Sequence, residues 1–257
     1  MLKFFKQLPI YVFAGLLLTG CFNDNREPQP QFLMSLVTIQ NPNAKSQFFL
    51  LRDDNKLLWF AEGFKESFKP EDGERYLIYY NIIADKSETG LYDYDVRITD
   101  AQKILTKGIF EISPETQDSI GNDWIAINQM WIVRNYLNID FSYYGYSSNT
   151  QHYINLVADS SKTYTDDKIH LEFRHNANKD EQLYKYNGLA SFDISSLEAA
   201  DADSVKIVVH IDIPDEMESK AYNITYKYKE SNTSAEDAPK PTIRKSLENF
   251  IRVDELK

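Results

Sequence analysis

Cysteine is all but missing from this sequence: Cys21 is the only one in 257 residues, so no disulfide can close within a single chain. Stability must therefore come from the core alone, even in a compartment that would permit oxidation. Basic side chains are also in deficit, with 28 Lys and Arg against 39 Asp and Glu, a net charge of −11. That balance disfavours nucleic acid, whose phosphates need a basic surface, and adsorption to anionic lipid headgroups. Long apolar runs are scarce. The longest, Ile10 to Leu18, falls short of the roughly 20 residues that a membrane span needs. Glycine is sparse while aromatics make up 14 % of the chain, a balance that suits strands joined by defined turns. Catalytic signatures are missing too. There is no Gly-x-Ser-x-Gly, phosphate loop, Gly-x-Gly-x-x-Gly, paired-cysteine zinc site or His-Glu-x-x-His. A carboxylate pair for glycoside cleavage stays open, because such pairs are defined by geometry.

What is present starts with an address. Lys3 and Lys6 precede the apolar run, and Leu17-Leu18-Thr19-Gly20-Cys21 closes it. Charge, grease and small residues in that order make a secretory signal, and the ending is that of a bacterial lipobox, in which the cysteine is acylated. The expectation is a signal peptide over 1–20 and lipid on Cys21. The remaining chain then carries 26 basic and 39 acidic side chains, a net of −13. Residues 21–31 are polar and carry Pro28 and Pro30, which reads as a tether. Phe22 after the cysteine offers no aspartate to retain the protein at an inner membrane. Outer membrane is the expected location, with the periplasmic or exterior side open.

From Phe32 onward the pattern is that of an all-β protein. Leu33–Ile39, Phe48–Leu51, Leu57–Phe60 and Tyr76–Ile83 read as strands, with turns at 52–56 and 71–73. Leu91–Thr99 alternates, with Tyr92, Tyr94, Val96 and Ile98 on one face. A last run covers Ile104–Ile112. Five or six short strands over 32–115 suggest a small barrel, which leaves no exposed edge. Over 116–230 the alternating sets are Leu137/Ile139/Phe141/Tyr143, Ile169/Leu171/Phe173/His175, Val205/Ile207/Val209/Ile211/Ile213 and Tyr222/Ile224/Tyr226/Tyr228. Together with 189–193 they argue for a two-sheet sandwich. Residues 195–202 suggest a helical turn, and 231–257 read as a polar tail with a short helix or frayed end.

The candidate chemistry is thin. His170 and His175 are five apart on one strand, so they face opposite sides and cannot share a metal there. His175 sits on the apolar face and reads as a buried histidine bonded to backbone. His210 reads as a solvated residue beside Lys206 and Asp212, and His152 as a border residue. The densest polar cluster is Arg174-His175-Asn176 with Asp180. It reads as a catalytic base with its acid or a ligand clamp, or as a strand end whose Asn and Asp build the turn. Tyr143, Tyr144 and Tyr146 read as a sugar-stacking platform or as ordinary strand tyrosines. Asp159-Ser160-Ser161 and Thr165-Asp166-Asp167 lack the spacing of a calcium loop. No metal or cofactor is expected.

Asp118–Asp123, Trp131 with Tyr136–Ile139, His152–Val157, Leu171–Ala177 with Asp180, and Ser191–Asp193 together resemble the NigD-like proteins. The resemblance runs from about residue 32 to 228. It implies a lipoprotein with an N-terminal OB-like barrel over 32–115 and a C-terminal β-sandwich over 116–230. The family is named for a candidate bacteriocin-immunity protein, and the resemblance brings no catalytic residues to transfer. Three readings follow. The first is a lipid-anchored envelope binding protein without catalytic activity, with bacteriocin immunity as its role and a bacteriocin or other envelope protein as its partner. The second is a surface glycan-binding or assembly accessory. The third is a hydrolase built on scattered carboxylates. All of them rest on the lipid anchor. Wild-type protein in its host should incorporate labelled palmitate and fractionate with membranes. Cys21→Ser should abolish both, and labelling that survives the substitution would remove the anchor.

Overall fold

The computed structural model describes residues 32–43, 47–63, 68–114, 116, 120–147, 149–212 and 219–229. The signal segment, Cys21 with its tether, Asp118–Ser119, Ile213 and the tail all lie outside the described residues. Fourteen strands are described: β1 Leu33–Asn43, β2 Gln47–Arg52, β3 Leu57–Gly63, β4 Arg75–Asp85, β5 Tyr94–Lys103, β6 Leu105–Gly108, β7 Phe110–Ile112, β8 Ile125–Val133, β9 Tyr136–Gly145, β10 Tyr153–Asp159, β11 Ile169–Asn176, β12 Tyr184–Asp193, β13 Ser204–Ile211 and β14 Lys220–Lys227. Helix among the described elements is limited to single 3-10 turns at Ser87–Thr89 and Ser195–Leu197. The second of these is the helical turn expected after residue 195.

The first five strands close into a barrel in the order β1-β2-β3-β5-β4. β4 returns antiparallel to β1, and β3 runs parallel to β5. This is the five-stranded Greek-key topology of an OB barrel. Alternation decides what fills it. Val37, Ile39, Leu50, Leu58, Ile78, Tyr80, Val96 and Ile98 point inward and are buried together. The Tyr80 hydroxyl would be an orphan there, and it is matched by Ser35 Oγ at 3.2 Å and Arg52 Nη1 at 3.0 Å. The turn at residues 52–56 depends on Asn55 adopting φ 65°, a conformation that asparagine tolerates better than most residues. Tyr92 and Asp93 precede β5 rather than belonging to it. Asp93 instead ties the chain to the start of β3, accepting from Leu57 N at 2.8 Å and Lys56 Nζ at 2.8 Å.

The run at 104–112 is not a barrel strand. It splits at Ile109: β6 joins a sheet of order β6-β12-β9-β8, while β7 joins the facing sheet of order β14-β13-β11-β10-β7. Each pairs parallel to its neighbour, Ala190↔Leu105 and Val157↔Phe110. One short stretch thus crosses from sheet to sheet, and local alternation carries no record of that. β8 was not apparent in the sequence either. A bulge between Ile127 and Gln129 interrupts its alternation, so Ile125 faces the sandwich core and Trp131 and Val133 face the barrel. The sandwich core packs Leu137, Ile139, Phe141 and Tyr143 against Leu171, Phe173, Ile207, Val209 and Ile211. Gly188 lies opposite Phe141 in the register. A methyl there would come within 2.4 Å of Phe141 Cζ, so the ring occupies the space where a side chain would stand.

Barrel and sandwich share a third apolar cluster: Leu36, Leu77 and Ile104 against Trp131, Val133 and Leu189. Arg75 is buried beside it with 0 % exposure. Its Nε donates to Ser191 Oγ at 3.1 Å. Nη1 donates to Thr38 Oγ1 at 2.9 Å and Asp53 Oδ1 at 3.1 Å. Nη2 donates to Asp53 Oδ2 at 3.0 Å and Asn138 Oδ1 at 3.1 Å. Every donor of the guanidinium is therefore used, and its carbon lies 4.4 Å from the centre of the Tyr136 ring. Arg134, in the β8–β9 hairpin turn, adds a bond to the Arg52 carbonyl at 3.0 Å. Arg75→Leu should cost on the order of 3–5 kcal/mol in urea denaturation, because Asp53 loses its main ion-pair partner and keeps only the longer contact to Arg134, and Asn138 and Ser191 each lose a bond at the buried joint. A loss below about 1 kcal/mol would show that the apolar cluster alone holds the joint.

Candidate functional site

β11 carries the same alternation on both faces, and each face assembles a polar cluster. On the core side the His175 ring, 1 % exposed, meets His152 from the start of β10. His152 Nδ1 lies 2.8 Å from His175 Nε2, and the rings stack 5.0 Å apart. His175 Nδ1 reaches the Trp124 carbonyl at 3.0 Å, and His152 Nε2 reaches Asp180 Oδ2 at 3.2 Å. Asp180 arrives from the turn after β11, in which Asn178 and Lys179 both have positive φ. Its carboxylate also accepts the main-chain N–H of Tyr146 at 2.6 Å and of Ser147 at 3.1 Å. A methyl on Gly145 would sit 3.0 Å from Asp180 Oδ2 and 3.1 Å from the His152 ring, so glycine leaves the approach open.

The hydrogen count of this chain is informative. Its two ends, a carboxylate and a carbonyl, can only accept. Three bonds need three protons, and two neutral imidazoles bring two. His175 stays neutral: burial pushes its pKa down to about 4, and the charge at His152 adds to the effect, against the opposing pull of the Trp124 carbonyl. At Asp180, burial acts to raise the pKa, but the donated N–H groups and His152 outweigh it and the result is lowered. An Asp–His pair is the beginning of a nucleophilic triad. Here the last member is a main-chain carbonyl, which offers no nucleophile, and both histidine rings are sealed from water.

The structure therefore brings His175, Asp180 and Tyr143 together, and adds His152, which is a core residue at 4 % exposure rather than a border one. The parity that sets His152 with Ile154 and Leu156 was the available signal. Tyr143 is buried, with its ring 5.0 Å from His152 and 5.4 Å from His175. Tyr144 points to the other face of β9, against Trp124 at 4.7 Å. Tyr146 is exposed and stacks on Tyr184 at 6.1 Å. The three tyrosines thus point three ways and make no common platform. Arg174 faces away from His175 and bonds Glu172 through Nε at 2.7 Å.

That outer face holds the second cluster. Tyr164 lies flat on His170, centroids 3.6 Å apart, and His170 Nδ1 is 2.8 Å from His210 Nε2. Asp166 Oδ1 accepts from the same ring at 2.7 Å. His210 is thus paired to His170, and Lys206 reaches Asp167 instead. The pairing of β11 with β13 creates this contact, and no spacing within either strand announces it. Asp159 receives the Ser161 main-chain N–H at 2.9 Å and shapes its own turn. Among the described residues no three His, Cys, Asp or Glu groups are arranged to hold a metal ion. No described helix is long and apolar enough to cross a membrane.

Comparison with known proteins agrees with this geometry. Residues 36–104 match the model of the NigD-like N-terminal OB domain, and residues 108–226 that of the NigD-like C-terminal beta sandwich domain. A candidate toxin-related protein of Parabacteroides distasonis superposes with a TM-score of 0.65 at 27 % identity, covering 79 % of this chain and 96 % of its own. A protein of unknown function from Bacteroides vulgatus gives 0.67 at 25 %, covering 88 % and 100 %. A NigD-like immunity protein from Bacteroides caccae gives 0.56 at 16 %, covering 81 % and 97 %, which shows a shared fold. No functionally curated protein matches the chain.

Asp180→Ala removes the acceptor from three donors, Tyr146 N–H, Ser147 N–H and His152, and should cost about 2–3 kcal/mol. His175 declines a proton that its unfolded counterpart accepts near pH 6.5. Its contribution to stability is complete above that pH and is lost as pH falls toward about 4. The His175 ring signal in NMR should accordingly not titrate between pH 8 and about 5, and a midpoint near 6.5 would contradict the assignment.

Proposed function

The chain belongs to the NigD-like family, and from that premise we propose that it is a lipid-anchored, non-catalytic binding protein of the bacterial outer membrane whose role is immunity to a bacteriocin. The observation that carries this is the fate of the interior chemistry. Among the described residues, the core cluster with the composition of a catalytic relay ends on a carbonyl and is closed to water. The charged residues of the outer face are engaged with one another. What the molecule offers to a partner is surface: two β-domains, loops, and a strongly acidic balance. Opposite charge accelerates encounter with a cationic toxin, and a lipid anchor at Cys21 would hold the receptor where such a toxin arrives. The structural likeness to a NigD-like immunity protein supports the fold that this reading needs.

Deleting the gene should sensitise cells to toxins secreted by neighbouring strains while leaving detergent and osmotic tolerance unchanged. Wild-type protein should restore resistance, and Cys21→Ser should restore it poorly. A deletion strain that tolerates every neighbour's toxin would overturn the immunity role. Protease treatment of intact cells would assign the side of the membrane.

A further inference from the structure

The barrel carries aromatic rings on the outside as well as the inside. On β2, Phe48 and Leu50 fill the core, so Phe49 points outward; on β3, Leu58 and Phe60 face in, so Trp59 points outward. The register sets Phe49 directly opposite Trp59, with ring centres 5.0 Å apart. Tyr92, from the loop between β4 and β5, completes the group at 6.0 Å from Phe49 and 6.1 Å from Trp59. All three are half-buried, and none belongs to a core cluster or to the joint with the sandwich. Each ring thus keeps part of its surface in water, where isolated strand positions usually carry polar groups.

The loop that presents Tyr92 is fastened in place. Lys86 N donates to the Asp93 carbonyl at 2.7 Å, and Asp93 N to the Leu57 carbonyl at 2.8 Å. The Asp93 carboxylate holds Lys56 and the Leu57 N–H, and the Tyr92 hydroxyl bonds Asp95. Lys86 stands 3.8 Å from Asp95. A trio of rings held by an anchored loop and rimmed by Asp93, Asp95, Lys56 and Lys86 is preorganised, which lowers the cost of binding a partner that stacks on it.

In a barrel of this topology the β2–β3 face and the β4–β5 loop are where flat polymers dock, either oligonucleotides or oligosaccharides. The two are separable by charge. A nucleic-acid site pairs its rings with a basic groove, whereas on this rim Lys56 and Lys86 are each matched by a carboxylate, Asp93 and Asp95, on a chain of net charge −11. Asp93 and Asp95 beside Lys56 and Lys86 offer acceptors and donors side by side, which suits sugar hydroxyls that both donate and accept, while the ring faces pack on C–H groups. We infer that Phe49, Trp59 and Tyr92 form a binding platform for an uncharged oligosaccharide. The site is separate from the tyrosines of β9, goes beyond the immunity reading, and stands or falls independently of it.

The full chain, purified in detergent, is run through native gels that each contain one polysaccharide: starch, pullulan, xyloglucan, galactomannan or yeast mannan, with heparin and single-stranded DNA as polyanions. At least one neutral polymer should retard it and shift its tryptophan fluorescence, and neither polyanion should. Trp59→Ala and Tyr92→Ala should each weaken retardation roughly fivefold to tenfold, while Tyr144→Ala and Tyr146→Ala leave it unchanged. Should Trp59→Ala lower the melting temperature, Tyr92→Ala, which lies in a loop, and Phe49→Leu decide the matter. The inference is overturned if no neutral polymer binds, if binding survives loss of the rings, or if only the polyanions bind. It is likewise overturned if light scattering shows a dimer that dissociates in Trp59→Ala, since a second copy would then be the occupant. None of these failures touches the toxin test.

Discussion

The rest of the molecule depends on one buried guanidinium. Barrel and sandwich each own a core and share a small apolar cluster, and Arg75 is buried at the joint between them. Removing such a charge from water costs several kcal/mol unless every donor is matched. Here all five are, by Thr38 and Asp53 from the barrel and Asn138 and Ser191 from the sandwich. Planarity fixes those directions, so the arrangement is satisfied at one relative orientation. The apolar cluster around Leu77 and Trp131 supplies area; the arginine supplies the angle.

The same strands carry that constraint across the sandwich. β9 meets Arg75 near its start, through Asn138, and its far end reaches Tyr143 and Gly145 beside the histidine chain. Asp180 plays the part there that Asp53 plays at the joint: a carboxylate made safe in a dry place by several donors. Both clusters contain residue types that catalysis uses, and both use them up in holding loops and strands. This is why polar density in the interior is a poor guide to function here, and why the surface is the better place to look.

The barrel shows the complementary economy. A strand's alternation gives each side chain a face, and β2 and β3 devote one face to the core and part of the other to Phe49 and Trp59. The inner set explains stability. The outer set contributes little to either core cluster, yet the anchored loop beneath Tyr92 keeps it organised. Structural demand accounts for the first group of aromatics and leaves the second unexplained, which directs attention to it.

Much of this was legible in the order of residues. Alternation needs only neighbours, so Leu137 to Tyr143, Leu171 to Phe173 and Val205 to Ile211 declared their inward faces, and the turn at 52–56 declared the β2–β3 hairpin. The acidic balance is a property of the chain itself. Other features required three dimensions because they depend on which strands become partners. The division of 104–112 between two sheets, the meeting of His152 with His175 and of His170 with His210, and the four hydrogen-bond partners of Arg75 all join residues far apart in sequence, and the bulge in β8 shows only against its partner strand. Local pattern sets the face on which a residue lies, whereas its partner across the gap is chosen by register and topology, and only the folded structure holds those.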